Sequence, residues 1–137
     1  MKNAKQEAIR WLEQAEHDLD AAKKNLEILK FYSDACFLAE QAAQKALKAF
    51  LYFKGKRYVP IHSVGALVET ILEYDKEFES LINYGRKLDQ YYIPTRYPDA
   101  LAPPAVPFET YTREQAEEAL KYAEEIFNLV NKKITKK

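Results

Sequence analysis

The segment YYIPTRYPDA, residues 91–100, gathers the side chains of this sequence that are best suited to bind a phosphate group. The candidates are an arginine, an acid and three tyrosines: Arg96, Asp99, Tyr91, Tyr92 and Tyr97. An arginine guanidinium can donate two parallel hydrogen bonds to phosphate oxygens, and Asp99 would orient it. Tyrosine rings offer faces on which nucleobases stack. The segment therefore predicts a phosphate- or nucleotide-binding site, unless Arg96 simply pairs with Asp99 or Asp89 and pins the loop.

A second group of candidates lies on the polar side of the alanine-rich stretch FYSDACFLAEQAAQKALKAFLYFKG, residues 31–55. When this stretch is drawn as a helix, Lys45 and Lys48 fall in a narrow polar arc, where they could line a groove that faces a phosphate. Alternatively, both lysines are solvent-exposed and mark the one uncovered side of the helix. Phe37 lies in the middle of the same arc. An exposed aromatic ring there predicts a contact with the loop after Tyr92 or with the partner chain of a homodimer, so we assign Phe37 to an interface.

Metal chemistry has little support in the sequence. Glu13 and His17 have the i, i+4 spacing of metal ligands, but only two ligands are in sight and they lie opposite the apolar stripe of their helix. The single cysteine excludes an internal disulfide, and no Cys/His spacing suggests structural zinc. We expect no metal site and no cofactor.

Length and charge narrow the class of protein further. The 137 residues fit one domain, residues 1–137, that is large enough to bury a core. The 21 basic and 21 acidic residues leave no net charge, so the general attraction that drives non-specific nucleic-acid binding is missing. The charged N-terminus is unlike a signal peptide, and no apolar run approaches the roughly 20 residues that span a bilayer. We expect a soluble, cytoplasmic protein that does not associate with membranes.

The elements that must position the candidate residues are helices, since the chain has only 3 glycines and few β-branched residues. Residues 31–55 are apolar around most of a helix circumference and predict a central helix that neighbours cover on most sides. Residues 5–30 predict a first helix that packs nearly antiparallel on the central one. Its apolar stripe, with spacings of three and four, comprises Ile9, Leu12, Ala15, Leu19, Ala22, Leu26 and Leu29.

Capping and breaking residues divide the second half of the chain. Gly55 stops the central helix, and Ser63 caps a third helix that ends near Tyr74. Asp75 then caps a fourth helix over about residues 76–92. Residues 93–111 contain five of the six prolines and cannot form regular helix, and a capping box at residues 112–115 opens the last helix. The sequence thus predicts an all-α, up-and-down antiparallel bundle of four to five helices, with a long proline-rich loop before the last helix.

Four segments together resemble the HEPN family over nearly the whole chain. They are AEQAAQKALKAFL, the glycine and histidine-containing loop after it, LDQYYIPTRYPDA, and YTREQAEEALKYAEEI. The resemblance implies a helical bundle that is commonly a homodimer. Many HEPN proteins are encoded beside a minimal nucleotidyltransferase and pair with it as a toxin–antitoxin system. Several are metal-independent ribonucleases, and some bind nucleotides only.

The ribonucleases of the HEPN family use an arginine, then four to six residues, then a histidine, around the start of a late helix. Here Arg96 stands before the last helix, but no histidine follows it; Arg57 and His62 have the spacing, but between the second and third helices. In a ribonuclease, His62 would move the proton of the 2′-hydroxyl and an arginine would stabilise the charged phosphorane. Otherwise, His62 hydrogen-bonds at the start of the third helix and Arg57 is a solvated charge.

The missing histidine and the zero net charge favour one function over its alternatives. We expect a HEPN-type nucleotide-associated module that works with a partner minimal nucleotidyltransferase in a toxin–antitoxin-like pair and is not catalytic alone. The first alternative is a metal-independent endoribonuclease that uses Arg96, His62 and Arg57 on RNA. The second is a purely structural dimerisation bundle that binds no ligand.

Overall fold

Helices account for all the regular secondary structure between residues 3 and 135, the residues that the structure, a computed structural model, describes. The α-helices are α1 (Ala4–Lys24), α2 (Tyr32–Phe53), α3 (Val64–Ile71), α4 (Ile82–Leu88), α5 (Pro107–Thr110) and α6 (Arg113–Thr135). Shorter 3₁₀ helices lie at Lys76–Leu81, Asp89–Tyr91 and Pro98–Ala100. The predicted all-α bundle is confirmed. Within the described residues, no helix is both long enough and apolar enough to cross a bilayer.

The alanine-rich helix α2 is the centre of the bundle, as its sequence predicts. It packs along α1 on one side and α6 on another, and most of its residues are buried. Its fully buried alanines, Ala39, Ala42, Ala43, Ala46 and Ala49, leave room for neighbouring helices on several sides. Near its C-terminal end, the ring of Phe50 packs on that of Phe78, with 4.8 Å between their centroids. These contacts make α2 the element on which the other helices and loops are positioned.

The end of the first helix departs from the prediction. After α1 the chain continues as a π-helix over Asn25–Leu29 and then turns through Lys30, which has a φ of 59°. Because the wider π turn changes the register of the side chains, Ile28 and Leu29 are 69% and 52% exposed. The predicted apolar stripe is therefore right as far as Leu26, which is buried, and wrong at Leu29.

The predicted capping residues are confirmed. The Ser63 side chain accepts a hydrogen bond from the amide of Ala66 at 3.1 Å, and Asp75 accepts one from the amide of Glu77 at 2.9 Å. Gly55 has a φ of 99°, the left-handed conformation that favours glycine at the end of a helix. These caps fix where α2 ends and where α3 and the segment before α4 begin.

The boundaries of the later helices also follow the prediction closely. Thr112 and Gln115 form the reciprocal capping box at the start of α6, with bonds of 3.2 and 2.9 Å between amide and side-chain oxygen. The third helix ends at Ile71, before the predicted end at Tyr74. The fourth occupies its predicted span as a 3₁₀ turn, then α4, then a second 3₁₀ turn. The breaks do not alter the predicted order of the bundle.

Two glycines bring α3 and α4 into close contact. A Cβ atom on Gly85 would lie 3.0 Å from the nitrogen and 3.1 Å from the Cα of Gly65, tighter than most contacts that Cβ atoms make. Any larger residue at this position would therefore push the two helices apart by a few tenths of an ångström. It sets the N-terminus of α3 beside the end of α4, where several of the candidate residues lie.

Candidate functional site

The loop that carries Arg96 is anchored by its own hydrogen bonds. Thr95 is buried, and its hydroxyl donates to the carbonyl of Tyr91 at 2.6 Å. The amides of Arg96 and Tyr97 both donate to the carbonyl of Ile93, at 3.0 and 3.2 Å. Together these bonds close a tight turn just after the 3₁₀ helix that follows α4. The turn fixes the backbone of Arg96 and therefore limits the directions in which its side chain can point.

Arg96 lies against the first turns of α2. Its guanidinium carbon is 4.4 Å from the centroid of the Phe37 ring, and its Nη1 is 3.5 Å from a carboxylate oxygen of Asp34. The predicted pairing of Arg96 with Asp99 or Asp89 is therefore wrong. The Arg96 side chain remains 48% exposed, and it makes one long ion pair within the described residues. Several of its N–H groups are consequently available to an external anion.

The contact with Arg96 shows what lies against Phe37, the ring that the sequence predicts to be exposed unless another element or chain covers it. Of the two partners expected for this ring, the loop after Tyr92 covers it within one chain, through Arg96. A guanidinium stacked on an aromatic ring is attracted to the electrons of the ring face, and the ring in turn limits how the guanidinium moves. A role for Phe37 in a homodimer interface stays a prediction.

The tyrosines of the segment divide between core and surface. Tyr91 is buried and meets Tyr111 edge to face at 5.8 Å, and burial raises the pKa of Tyr91 to about 12. It therefore belongs to the packing of the loop. Tyr97, next to Arg96, is 57% exposed, and Asp99 is exposed as well. Of the three tyrosines, Tyr97 has the ring that a ligand reaches most easily.

His62 and Arg57 have surroundings different from those of Arg96. The His62 ring stacks on Tyr92, with 6.1 Å between centroids and 19° between planes. Arg57 is exposed in the loop before α3 and forms no ion pair with a described residue. No contact among the described residues joins Arg96, His62 and Arg57 into one cluster. The three predicted catalytic residues thus have different contacts: Arg96 lies against Phe37 and Asp34, His62 lies against Tyr92, and Arg57 is exposed.

The start of α3 is capped by Asp89, a role that the sequence did not reveal. The carboxylate of Asp89 accepts hydrogen bonds from the Ser63 hydroxyl at 2.7 Å and from the amides of Val64 at 2.5 Å and Gly65 at 3.2 Å. An acid at a helix N-terminus pairs with free amides and with the positive end of the helix dipole. The hydrogen bond expected there from His62 is not formed, because Ser63 and Asp89 supply the acceptors.

The two lysines of α2 are more enclosed than an uncovered face would allow. Lys45 forms an ion pair of 2.6 Å with Asp18 of α1, which is itself 5% exposed and accepts a second bond from Gln14. Lys48 is 7% exposed, with its ammonium 6.0 Å from the centre of the Trp11 ring. The alternative in which both lysines are solvent-exposed is therefore wrong for Lys48. Phosphate binding by Lys45 and Lys48 stays a prediction.

A buried acid lies on the same side of α2. Glu40 has no exposed surface and accepts hydrogen bonds from the side-chain amides of Gln44 at 2.5 Å and Gln41 at 2.8 Å. Burial raises the pKa of the Glu40 carboxyl to about 7, against the opposing effect of the two amides. In a helical projection of α2, Glu40 falls on the same polar arc as Lys45 and Lys48, a pattern that gives no signal of its burial. Within the described residues, no three acids, histidines or cysteines converge to hold a metal.

Comparison with known proteins identifies similar sequences. The HEPN domain profile matches residues 8–133 of the chain. The chain is 31% identical over 127 residues to "Putative toxin MJ1304" of Methanocaldococcus jannaschii, across 88% of this chain and 83% of that protein. It is 35% identical over 115 residues to sacsin of Homo sapiens, a match that covers 80% of this chain and 2% of sacsin.

Solved structures with the same fold also have related sequences. TT1696 from Thermus thermophilus superposes with a TM-score of 0.85 and 43% identity, across 92% of this chain and 97% of that chain. ST0689, described as an archaeal HEPN homologue, superposes with a TM-score of 0.76 and 32% identity, across 98% of this chain and 100% of that chain. At these levels of identity the likeness extends beyond the arrangement of helices to the sequence itself.

Proposed function

The chain belongs to the HEPN domain family, and we propose that it is a nucleotide-associated module that works with a minimal nucleotidyltransferase as half of a toxin–antitoxin-like pair. In this proposal the chain acts in the cytoplasm as a homodimer and does not cleave RNA alone. The name of the relative from Methanocaldococcus jannaschii, "Putative toxin MJ1304", supports the toxin-like part of the proposal.

The different contacts of the arginine and histidine candidates are the observation that supports the proposal. Metal-free RNA cleavage requires a proton-transfer group and a cation that reach the same phosphate. Arg96 is engaged by Asp34 and Phe37, whereas His62 is stacked on Tyr92. An arginine whose contacts among the described residues are with Phe37 and Asp34, and not with a histidine, is suited to binding an anion rather than to acid–base catalysis.

The partner half of the proposal can be tested by co-expression. The chain would be produced together with a minimal nucleotidyltransferase encoded by a neighbouring reading frame, and the mass of the purified species measured by light scattering. We expect a complex that contains both proteins, and a Phe37→Ala variant that changes its stoichiometry if Phe37 lies in the homodimer interface. Elution of the two proteins separately at micromolar concentration would contradict the proposal.

A metal-independent endoribonuclease remains the second candidate because of one observation at Arg96. Its guanidinium is half-exposed and has N–H groups that no described residue accepts from, so it is able to contact a phosphodiester. In that case His62, from the same chain or from the second chain of a dimer, would have to reach the same phosphate. A cleavage assay separates the two candidates.

A further inference from the structure

Lys48 of α2 is a charged side chain that the folded chain nearly buries and does not pair. Asp18 and Glu40, the other charged residues that are at most 7% exposed, both accept hydrogen bonds, whereas the Lys48 ammonium makes none with a described residue. Because no buried side-chain nitrogen or oxygen of the described residues lacks a partner, this ammonium must touch solvent at an opening while its stem is enclosed. Burial lowers the pKa of Lys48, against the opposing charge of Glu40, and an anion at the opening would offset that effect.

The Lys48 ammonium lies beside a surface groove. It is 6.0 Å from the centre of the Trp11 ring, and Trp11 is half-buried. Trp11 also lines a groove of about 880 Å³ that runs along α1 and reaches Lys45 of α2. A groove of this size admits several residues of a partner chain, and tryptophan is one of the residue types that contribute most to protein interfaces.

Aromatic side chains continue this surface to the loop after α2. The rings of Trp11 and Tyr52 pack with 5.2 Å between centroids, and Tyr52 follows Lys48 by one turn on the same face of α2. Burial raises the pKa of Tyr52, and the nearby groups of Glu7 and Tyr58 add to that effect. Tyr58 is therefore close to Tyr52, and it is 79% exposed. The surface from Lys48 to Tyr58 is continuous through these rings.

The loop that carries Tyr58 presents cations on a fixed backbone. The amide of Lys56 donates to the Leu51 carbonyl at 3.0 Å, which closes the end of α2, and Val59 is buried. Between these two anchors, Lys56 and Arg57 are exposed and form no ion pair with a described residue. An arginine and a tyrosine on a backbone that is already ordered are typical of interface hot spots, because little entropy is lost when a partner binds.

The charges of this surface favour an acidic partner. The two other cations that line the groove are already paired, Arg10 with Glu7 at 2.9 Å and Lys45 with Asp18 at 2.6 Å. Glu13 lines the groove without an ion pair to a described residue and would repel an anion. The unpaired cations at residues 48, 56 and 57 outnumber it. A segment that carries several carboxylates is therefore complementary to the surface in charge.

From these observations we infer that the surface formed by Trp11, Lys48 and the loop at residues 56–58 binds an acidic segment of a partner protein. One carboxylate of the segment pairs with the Lys48 ammonium, and others pair with the two cations of the loop. The rings of Trp11 and Tyr58 cover the apolar stems of the bound side chains. The inference goes beyond the proposed function, since it does not depend on RNA cleavage or on a nucleotidyltransferase partner.

The enclosure of Lys48 distinguishes a protein partner from an RNA. With 7% of the residue exposed, the ammonium is reached through a small opening. A side-chain carboxylate stands at the end of a flexible stem and can enter such an opening, whereas the phosphodiester groups inside an RNA strand are held close to the sugars. The absence of net charge also disfavours RNA, because the general attraction for a polyanion is missing.

The test is a titration of the full chain, followed by amide NMR shifts and by the fluorescence of Trp11. The probes are a short blocked peptide of alternating Glu and Ala, its counterpart with Gln in place of Glu, and an oligouridylate of the same charge as the acidic peptide, all at one ionic strength. We expect the acidic peptide to shift the amides of residues 56–58 and to change the emission of Trp11 in a saturable way. The Gln peptide should leave both signals unchanged, and the oligouridylate should bind more weakly.

Single variants separate a built site from a general attraction between opposite charges. Lys48→Met removes the charge, keeps most of the stem and should weaken binding of the acidic peptide about tenfold or more, since a hydrogen bond between charged groups is lost. Lys121→Met, at an exposed position of α6, is the charge-matched control and should bind as wild type does. Each variant is first compared with wild type by thermal unfolding. Tyr58→Ala, at a largely exposed ring, tests the loop without disturbing the core and should weaken binding several-fold.

Three results would overturn the inference. The first is an absence of saturable shifts at residues 56–58 with the acidic peptide. The second is equal affinity of wild type and Lys48→Met for that peptide. The third is tighter binding of the oligouridylate than of the peptide at the same residues, which would identify a nucleic-acid surface instead. None of them bears on RNA cleavage or on the complex with a nucleotidyltransferase, so failure of this surface is distinguishable from failure of the proposed function.

Discussion

Glu40 makes the stability of the bundle depend on pH in a direction opposite to that of most acids. Its pKa is raised by burial from 4.5 to about 7, so the folded chain holds a proton that the unfolded chain releases between those values. The contribution of Glu40 to the free energy of unfolding is therefore fully present below pH 4.5, and it is lost as the pH rises towards 7. The shift corresponds to about 3 kcal/mol between the two limits.

The Glu40→Gln variant isolates this contribution. Gln cannot ionise and has nearly the same shape, and rotation of a neighbouring amide group can adapt Gln41 or Gln44 to the new donor. We expect the variant to be more stable than wild type at pH 8, by up to about 3 kcal/mol, with the difference shrinking as the pH falls to about 4.5. The charged groups near Glu40 are Asp89, Lys45 and Lys48, and all are present in both proteins.

The measurement is urea unfolding from pH 4.5 to 8.5, followed by the fluorescence of Trp11 and by circular dichroism. Trp11 is the only tryptophan and lies next to Lys48, so its emission reports on the same side of α2. A Glu13→Gln variant, at an exposed position of α1, is the matched control and should follow wild type at every pH. Parallel curves for wild type and Glu40→Gln would refute the reasoning, because the carboxyl would then titrate alike in the folded and unfolded chains.

Two further predictions concern the contacts that position the loop and α3. Gly85→Ala should lower the unfolding free energy by about 1–3 kcal/mol, since its Cβ would lie 3.0 Å from the backbone of Gly65. The control variant Asn83→Ala, in the same helix, should have little effect in the same urea experiment. Equal unfolding midpoints for the two variants would contradict the close contact. Phe37→Leu should make trypsin cleave after Arg96 several-fold faster, because about 1 kcal/mol of ring attraction is lost. Cleavage after exposed Arg57 is the internal control, and an unchanged ratio of the two cuts would contradict the role of Phe37.

The helices were predictable from the sequence because their signals are local. Ser63, Asp75 and the Thr112–Gln115 pair are read from a few neighbouring residues, and each caps the helix that it was expected to cap. The exposure of Leu29 was not predictable in the same way. An apolar stripe with regular spacing does not reveal that its last turn is a π-helix, so the stripe was extended too far.

The surroundings of the candidate residues depend on contacts between distant parts of the chain. Arg96 pairs with Asp34, which is far from it in sequence, whereas the acids nearest in sequence were the natural candidates. Glu40 falls on the polar arc of α2 in a helical projection, and nothing in that pattern shows that the residue is buried.

Metal-free RNA cleavage tests the central claim most directly. Purified chain would be incubated with RNA in EDTA, which suppresses contaminating metal-dependent nucleases, and compared with the Arg96→Ala and His62→Ala variants. We expect no cleavage by wild type beyond that of the two variants. Cleavage by wild type that disappears in either variant would contradict it, and would establish a composite active site in place of a binding module.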